Sequence, residues 1–393
     1  MGNNSHPCPA CNSGDMEVFY RVASVPSNSC LLLESEEEAR SYSRGSIDLG
    51  FCSACGFISN TSFNEKLTEY SGRYEETQGF SPTFRAFHEN LANELIERHG
   101  LNGKSVVEIG CGKGEFLHLI CALGDNDGLG FDPAYIDERD QPVRGERVKF
   151  VKDFFSDKYE VEDADFVACK MTLEHIPQAR NFMTSIRESV HGQSDSVVFI
   201  QVPESNRIFE ECAFEDIYYE HCSYFTPDSL GRLFEASSFS VTRTDIEYDG
   251  QYLTVEATYG NGEQVASRDH GGLATMRDLV SSFPTRVSAK INEWRETIDD
   301  RIKKGQKVVL WGSGSKGVSF LTTLGLESEI EAVVDINPNR QGYFMAGTGQ
   351  KIVAPEDLKE INPDFVVVMN RIYTDEIREV LDGLGVEAEL AAL

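Results

Sequence analysis

The chain has 393 residues, 40 % of them hydrophobic, with 65 acidic against 36 basic side chains and a formal net charge of −29. That length supports two or three domains with real cores, and that charge argues against nucleic acid or an anionic membrane as a partner, because phosphates require a concentrated basic face that the sequence nowhere offers. No apolar run approaches the roughly 20 residues that span a bilayer, the opening MGNNSHPCPAC is polar rather than signal-like, and His6 stands where a myristoylation pattern asks for Ser or Thr, so the expected setting is the cytoplasm, with the ten cysteines as reduced thiols or metal ligands.

The first feature along the chain is a pair of C-x2-C knuckles, Cys8-Pro-Ala-Cys11 and Cys52-Ser-Ala-Cys55, the second followed by Gly56, which suits a tight turn. Four thiolates in this pattern predict a tetrahedral zinc site with no open position, hence a structural Zn2+. The gap between the knuckles is longer than the usual spacing, so Val18 to Arg21 and Ser46 to Phe51 are expected to form a small sheet between them. Cys30 is the spare, read as a buried small residue. These features define a zinc-binding module over residues 1–70.

From 71 to 272 the pattern is α/β. Ser81-Pro82 is a helix start, and Phe84, Phe87, Leu91, Leu95 and Ile96 recur at helical spacing before His99-Gly100 ends the run. Tyr70 and Tyr74 stand ahead of it, placed either to close over a ligand or to pack the zinc module on the core. Then comes VVEIGCGKGEF: a strand running into Glu108, a turn of Gly110, Cys111, Gly112 and Gly114, and a helix opening at Phe116. Glycines let a ligand approach the backbone, and Asp132, ending the next strand about twenty residues on, is spaced to take the ribose hydroxyls of a nucleoside. The form E-x-G-x-G-x-G resembles motif I of class I S-adenosylmethionine (SAM) methyltransferases. Asp153-Phe154, after a strand at Val148 to Val151, resembles their adenine-holding acidic-aromatic pair. SAM is the cofactor this resemblance implies, and the fold it implies is a Rossmann-like doubly wound sheet.

Further strands are predicted at Ala164 to Cys169 and Val197 to Val202, with a helix from Phe182 to Val190. Ligands of such sheets sit at the carboxyl ends of the strands, which places Lys170-Met-Thr-Leu-Glu-His175 near the cofactor. His175 can face an acceptor there, or simply cap a helix. The densest chemical cluster follows strand five: Asp216-Ile-Tyr218-Tyr219-Glu220-His221-Cys222-Ser223-Tyr224-Phe225. A histidine titrates near neutrality and can serve as general base, Glu220 can tune it, and a tyrosine hydroxyl can stabilise an oxyanion; the competing reading is structural aromatics at a domain junction. Asp249-Gly250 joins two strands as a hairpin, Gly260 to Gly272 reads as a domain boundary, and Leu273 to Ile302 as a helix bent at Pro284.

Residues 273–393 repeat the opening logic. A strand to Trp311, the turn Gly312-Ser-Gly314-Ser315-Lys316-Gly317, a helix, and a second strand ending at Asp335 form another nucleotide-style half-fold. Lys316 at a helix N-terminus offers amides, dipole and a cation to a phosphate, with Arg340 as a second charge. Here the whole chain resembles the C-methyltransferases that act on nucleoside-diphosphate 4-keto-6-deoxyhexoses. The resemblance rests on the two knuckles, Tyr218-x-Glu220-His221-x-x-Tyr224-Phe225, Ser315-Lys316-Gly317, and Asp335-x-Asn-Pro338-x-x-Gln341-Gly342. It implies that His221 is the base, that Tyr218 and Glu220 are its neighbours, that His175 contacts the sugar, that Tyr74 and Tyr224 line the substrate, and that Gly314, Ser315, Lys316, Asp335 and Arg340 hold the nucleotide diphosphate. The expected partner is thus a small molecule, and the protein a monomer or homodimer. Met171 stands where that family carries a polar sugar contact, and Asn370 lacks the usual preceding tryptophan; both departures bear on the substrate rather than on the reaction. O- or N-methylation of another small acceptor is the alternative, and a SAM-binding protein without turnover a third.

Overall fold

In the computed structural model, which describes residues 7–12, 15–137, 147–161, 163–189, 196–259 and 272–393, the chain is built on three sheets. The expected boundary at 260–271, the residues before Pro7 and Val190 lie outside the described residues. Strands β1 (Met16–Pro26) and β2 (Arg44–Cys52) pair antiparallel, longer than the sequence suggested, with a short helix α1 (Glu36–Ser41) in their connection and β3 (Ile58–Asn60) alongside β2.

The central sheet starts after α2 (Pro82–His99), where the Ser81 hydroxyl accepts the Phe84 N–H at 3.2 Å and Gly100 closes the helix in the left-handed conformation. Its elements are β4 (Ser105–Ile109), α3 (Glu115–Gly124), β5 (Asp127–Phe131), β6 (Val148–Val151), β7 (Phe166–Lys170), α4 (Ala179–Ser189) and β8 (Val197–Pro203). Next come α5 (Ser205–Glu211), β9 (Ser223–Tyr224), α6 (Pro227–Ala236), β10 (Ser240–Glu247) and β11 (Tyr252–Thr258). The strand order is β10-β11-β8-β7-β4-β5-β6, with β4 to β8 parallel and β10 and β11 antiparallel at one edge. Such a sheet needs apolar side chains on both faces, and β7 is buried along its whole length. The β10–β11 turn spans Tyr248 to Gln251, more than the expected Asp-Gly pair; Tyr248, Asp249 and Gly250 all have positive φ, and the Tyr248 hydroxyl donates to that of Tyr373 at 2.8 Å.

Helix α7 (Gly272–Lys303) carries Pro284 inside its 32 residues. It leads into β12 (Val308–Trp311), α8 (Ser315–Leu324), β13 (Ala332–Val334), β14 (Ile352–Val353), α9 (Leu358–Ile361), β15 (Phe365–Val368), α10 (Thr374–Leu384) and β16 (Glu389–Ala392). The third sheet, β14-β13-β12-β15-β16, is parallel throughout. One apolar cluster joins the N-terminal sheet, α7 and this last sheet through Phe283, Val287, Ile298 and Leu310. Strand β9 adds to the first sheet rather than the central one, with Ile58 opposite Tyr224. That single pairing carries the Tyr218–His221 loop to the meeting point of all three sheets.

Candidate functional site

Strand β4 sits where the chain leaves in opposite directions, to β5 on one side and β7 on the other, so a crevice opens beyond its carboxyl end. The turn there needs its glycines. Gly110 has φ +71°, and a Cβ on it would stand 2.0 Å from the Thr172 hydroxyl oxygen; one on Gly114 would stand 2.5 Å from the Phe150 ring. A cavity of about 620 Å³ lies over the turn, lined by Glu108, Gly110, Cys111, Gly112, Asp132, Asp153 and Phe154, while Gly114 sits behind the wall. Glu108 is buried with its Oε2 unpartnered among the described residues, and burial pushes its carboxyl up to about 7, Lys170 opposing. Asp132 accepts the Gly112 N–H at 2.9 Å and the Ala134 N–H at 2.7 Å, so it holds the turn as well as facing the cavity. Asp153 accepts the Tyr159 hydroxyl at 2.7 Å and pairs with Lys158; Phe154 is 59 % exposed. A buried carboxylate with one unpartnered oxygen beside a turn whose glycines present bare backbone fits the amino group and sugar of SAM.

A second cavity, of about 360 Å³, opens beyond β12 and β8. Gly314, Ser315, Lys316, Asp335 and Arg340 line it from the last sheet, and Tyr218 and His221 from the loop before β9. Lys316 Nζ lies 2.8 Å from Asp216 Oδ2, and Arg207 pairs with the same carboxylate. Burial works against the Asp216 anion, yet the two cations prevail and hold its carboxyl below the usual range. Arg207 also lies 3.6 Å from Glu211, so Asp216 and Glu211 offset the two cations here, and Lys316 and Arg207 are the donors on this wall that a phosphate would draw on. Asp335 accepts the N–H groups of Ser313 at 3.0 Å and Asn337 at 2.9 Å. Arg340 is buried and donates to the Ser313 hydroxyl at 2.7 Å and to the Glu75 carbonyl at 2.6 Å. Asp335 and Arg340 therefore brace this wall as much as they face the space.

The cavities share a wall. Tyr74, Glu76, Thr77, Gln78, Met171 and His175 line both. His175 Nδ1 is 3.0 Å from the Tyr70 hydroxyl, and its ring centroid is 4.9 Å from that of His221. The Tyr218 hydroxyl is 2.5 Å from His221 Nε2. Burial, then His175, lowers the His221 pKa well below its ordinary value, so the imidazole is neutral at neutral pH, with Nε2 against the Tyr218 hydroxyl. Two expected residues fall elsewhere. The Glu220 carboxylate accepts the Ser29 N–H at 2.7 Å and the Ser29 hydroxyl at 2.8 Å, and Glu220 lines neither cavity. Tyr224 is also outside both, its ring packed 6.1 Å from that of Phe209.

Sequence reasoning missed two groups, Lys170 and Glu174, and the conformation of a third. Met171, noted there as a departure at a sugar-contact position, adopts φ +49°, a costly backbone for a long side chain, and lines both cavities. Lys170, at the end of β7, is buried with Nζ 3.1 Å from His88 Nε2 and 4.0 Å from the Phe116 ring centroid. Glu174 is buried with its Oε1 3.9 Å from His221 Nε2. The string Lys170 to His175 at a strand end was the available signal, but only His175 stood out by residue type.

Cys8, Cys11, Cys52 and Cys55 bring their sulfurs within 4.8 Å of one another. The Cys8–Cys55 and Cys11–Cys52 separations are 3.6 and 3.8 Å. A tetrahedron with zinc–sulfur bonds of about 2.3 Å has edges of roughly 3.8 Å, so the four thiols fit zinc. Cys30 lies apart, its Sγ 3.3 Å from the Ser315 hydroxyl, on the second cavity.

A family model described as a methyltransferase domain matches residues 84–244, and one described as a C-methyltransferase C-terminal domain matches residues 262–386. C-methyltransferase NovU of Streptomyces niveus is 25 % identical over 392 residues, covering 94 % of this chain and 90 % of that protein. Among solved structures, magnesium protoporphyrin IX methyltransferase (ChlM) of Synechocystis PCC 6803 with bound S-adenosylhomocysteine is similar at a TM-score of 0.35 and 14 % identity, over 45 % of this chain and 83 % of that one. The 1,6-didemethyltoxoflavin-N1-methyltransferase of Burkholderia thailandensis is similar at 0.34 and 17 %, over 44 % and 79 %. Among the described residues no helix is long and apolar enough to cross a membrane.

Proposed function

We propose that this SAM-dependent methyltransferase, a methyltransferase domain followed by a C-methyltransferase C-terminal domain, methylates the carbon beside the ketone of a nucleoside-diphosphate-linked 4-keto-6-deoxy sugar. The observation that carries this reading is the shared wall: a glycine-turn cavity and a cation-bearing cavity meet at Tyr74, Met171 and His175, with His221 and Tyr218 on the second side. SAM, when bound over the Gly110 turn, supplies an electrophilic methyl group and leaves as S-adenosylhomocysteine. The residues of the chain make the acceptor carbon nucleophilic. Neutral His221 takes the proton from the carbon next to the ketone, whose C–H electron pair passes into an enolate. The Tyr218 hydroxyl and the His175 imidazole, both at the seam, are the donors within reach of the developing oxyanion. Lys316 and Arg207 hold the diphosphate, with Ser315 and the Gly314 backbone beside it. Zinc at the four cysteines fixes the N-terminal module and takes no part in the reaction.

The test is to incubate the enzyme with methyl-labelled SAM and TDP-, CDP-, GDP- and UDP-linked 4-keto-6-deoxy sugars and to locate the label by NMR. Label on a carbon beside the ketone is the expected result. Label on oxygen or nitrogen, or none across the panel, would transfer the reading to heteroatom methylation of another small acceptor. His221→Ala should abolish turnover with SAM affinity near the parent value; retained turnover removes the general base from this account.

A further inference from the structure

A buried imidazole that accepts a proton becomes a buried cation, and that cation is costly unless an anion faces it. Three carboxylates lie near His221. Glu220, its chain neighbour, lines neither cavity, and its Oε1 accepts both the Ser29 N–H and the Ser29 hydroxyl. Asp216 is committed to Lys316 and Arg207. Glu174 remains: it is 1 % exposed, neither of its oxygens accepts a hydrogen bond of ordinary geometry among the described residues, and Oε1 stands 3.9 Å from His221 Nε2. The one-turn helix after strained Met171 aims it there, with Leu173 fully buried beneath.

We propose that Glu174 is the positioning residue of His221, orienting the imidazole and carrying the countercharge when His221 takes the substrate proton. This rests on His221 being the base. The proton balance is simple: the carbon–hydrogen bond breaks, a nitrogen–hydrogen bond forms on the imidazole, and the Glu174 carboxylate neutralises the imidazolium until the proton leaves to solvent. In the resting protein burial pushes the Glu174 carboxyl up to about 8, its own backbone N–H opposing in part. The pair is therefore competent when Glu174 is ionised beside neutral His221, and competence falls as pH drops through about 8.

The groups around the pair are His175 on the turn of Glu174, Tyr218, Glu220 and Cys222 on the loop of His221, and, from other elements, Tyr70, Cys169 at the end of β7, Tyr252 of β11 and the Asp216–Lys316 ion pair. The tyrosines and thiols are raised by burial, and His175 is lowered by burial to about 4, so these stay out of the window. Burial raises Glu220 to about 7, but it titrates alike in parent and variant and cancels between them.

The experiment compares kcat and kcat/KM against pH for the parent, Glu174→Gln and Glu174→Asp with the acceptor found in the label panel, alongside melting and SAM affinity. Glu174→Gln should lower kcat on the order of 10²-fold and move the acidic limb down by more than about one pH unit, since only a depressed imidazole then titrates. Glu174→Asp should recover part of kcat and restore the limb. An unmoved limb in a folded Glu174→Gln protein that binds SAM overturns the proposal, and so does a loss of kcat that Glu174→Asp leaves unrelieved with the limb in place. His221→Ala separates the two levels: if it still turns over, the base assignment fails; if it is dead and the Glu174→Gln limb is unmoved, only the role of Glu174 fails. Nitrogen-15 histidine NMR without acceptor gives a second readout. The resonance that His221→Ala deletes should shift as pH passes through about 8 in the parent, where Glu174 ionises beside it, and not in Glu174→Gln; the same shift in both overturns the pairing.

Discussion

Gly110→Ala tests the reasoning about the glycine turn most sharply, because one methyl group is added where the backbone and the packing both forbid it. Gly110 has φ +71°, and its new Cβ would meet Thr172 Oγ1 at 2.0 Å, Cγ2 at 2.7 Å and Cβ at 2.8 Å. Holding an L-residue in the left-handed region costs roughly 1–2 kcal/mol, and forcing back a β-branched neighbour costs about 1–3 kcal/mol more. Thr172 has nowhere easy to go, since its hydroxyl also donates to the Lys170 carbonyl at 3.0 Å and it follows strained Met171. A total of roughly 2–5 kcal/mol lowers the melting temperature of a domain this size by on the order of 10 °C. SAM affinity, measured calorimetrically, should fall at least about tenfold, the loss expected for misplacing a preorganised turn by a fraction of an ångström. Gly231→Ala is the control. Gly231 is inside α6, a Cβ there meets nothing within 4 Å, and its φ is not left-handed. The same chemical change should therefore stabilise by about 0.5–1 kcal/mol. Gly110→Ala melting with the parent and binding SAM equally well would refute the argument.

Removing metal from the four cysteines, or replacing Cys52 by Ser, should lower the melting temperature while methyl transfer at low temperature persists; a metal-free protein as stable as the holoprotein would show that the cluster does not staple the module. Glu108→Gln should weaken SAM binding and change stability in a pH-dependent way. Burial raises the Glu108 carboxyl from the ordinary value near 4.5 to about 7, so the parent's stability from this group is present below pH 4.5 and lost as pH rises through about 7. The ligand-free variant should accordingly gain on the parent between those pH values, and a melting difference independent of pH would exclude a buried, strained charge at that position.

Much of this protein was readable from local chemistry. Positive-φ glycines between a strand and a helix, paired cysteines two residues apart, and a Ser-Pro start are short-range devices, and the structure carries the turn at Gly110, the clustered sulfurs of Cys8, Cys11, Cys52 and Cys55, and the cap at Ser81. Strand identity also followed, because β4, β7 and β12 bury nearly every side chain and so read as apolar runs. What sequence could not supply was direction. Glu220 adjoins His221 in the chain yet points at Ser29, 191 residues away, while Glu174, 47 residues upstream, faces the imidazole. Tyr224 looked like a site residue by its company, but two residues of pairing with β3 turn it into the core. Residue type and spacing settle which groups a turn or strand can carry; which of them share a wall depends on where three sheets close on one another, and that is decided by long-range packing alone.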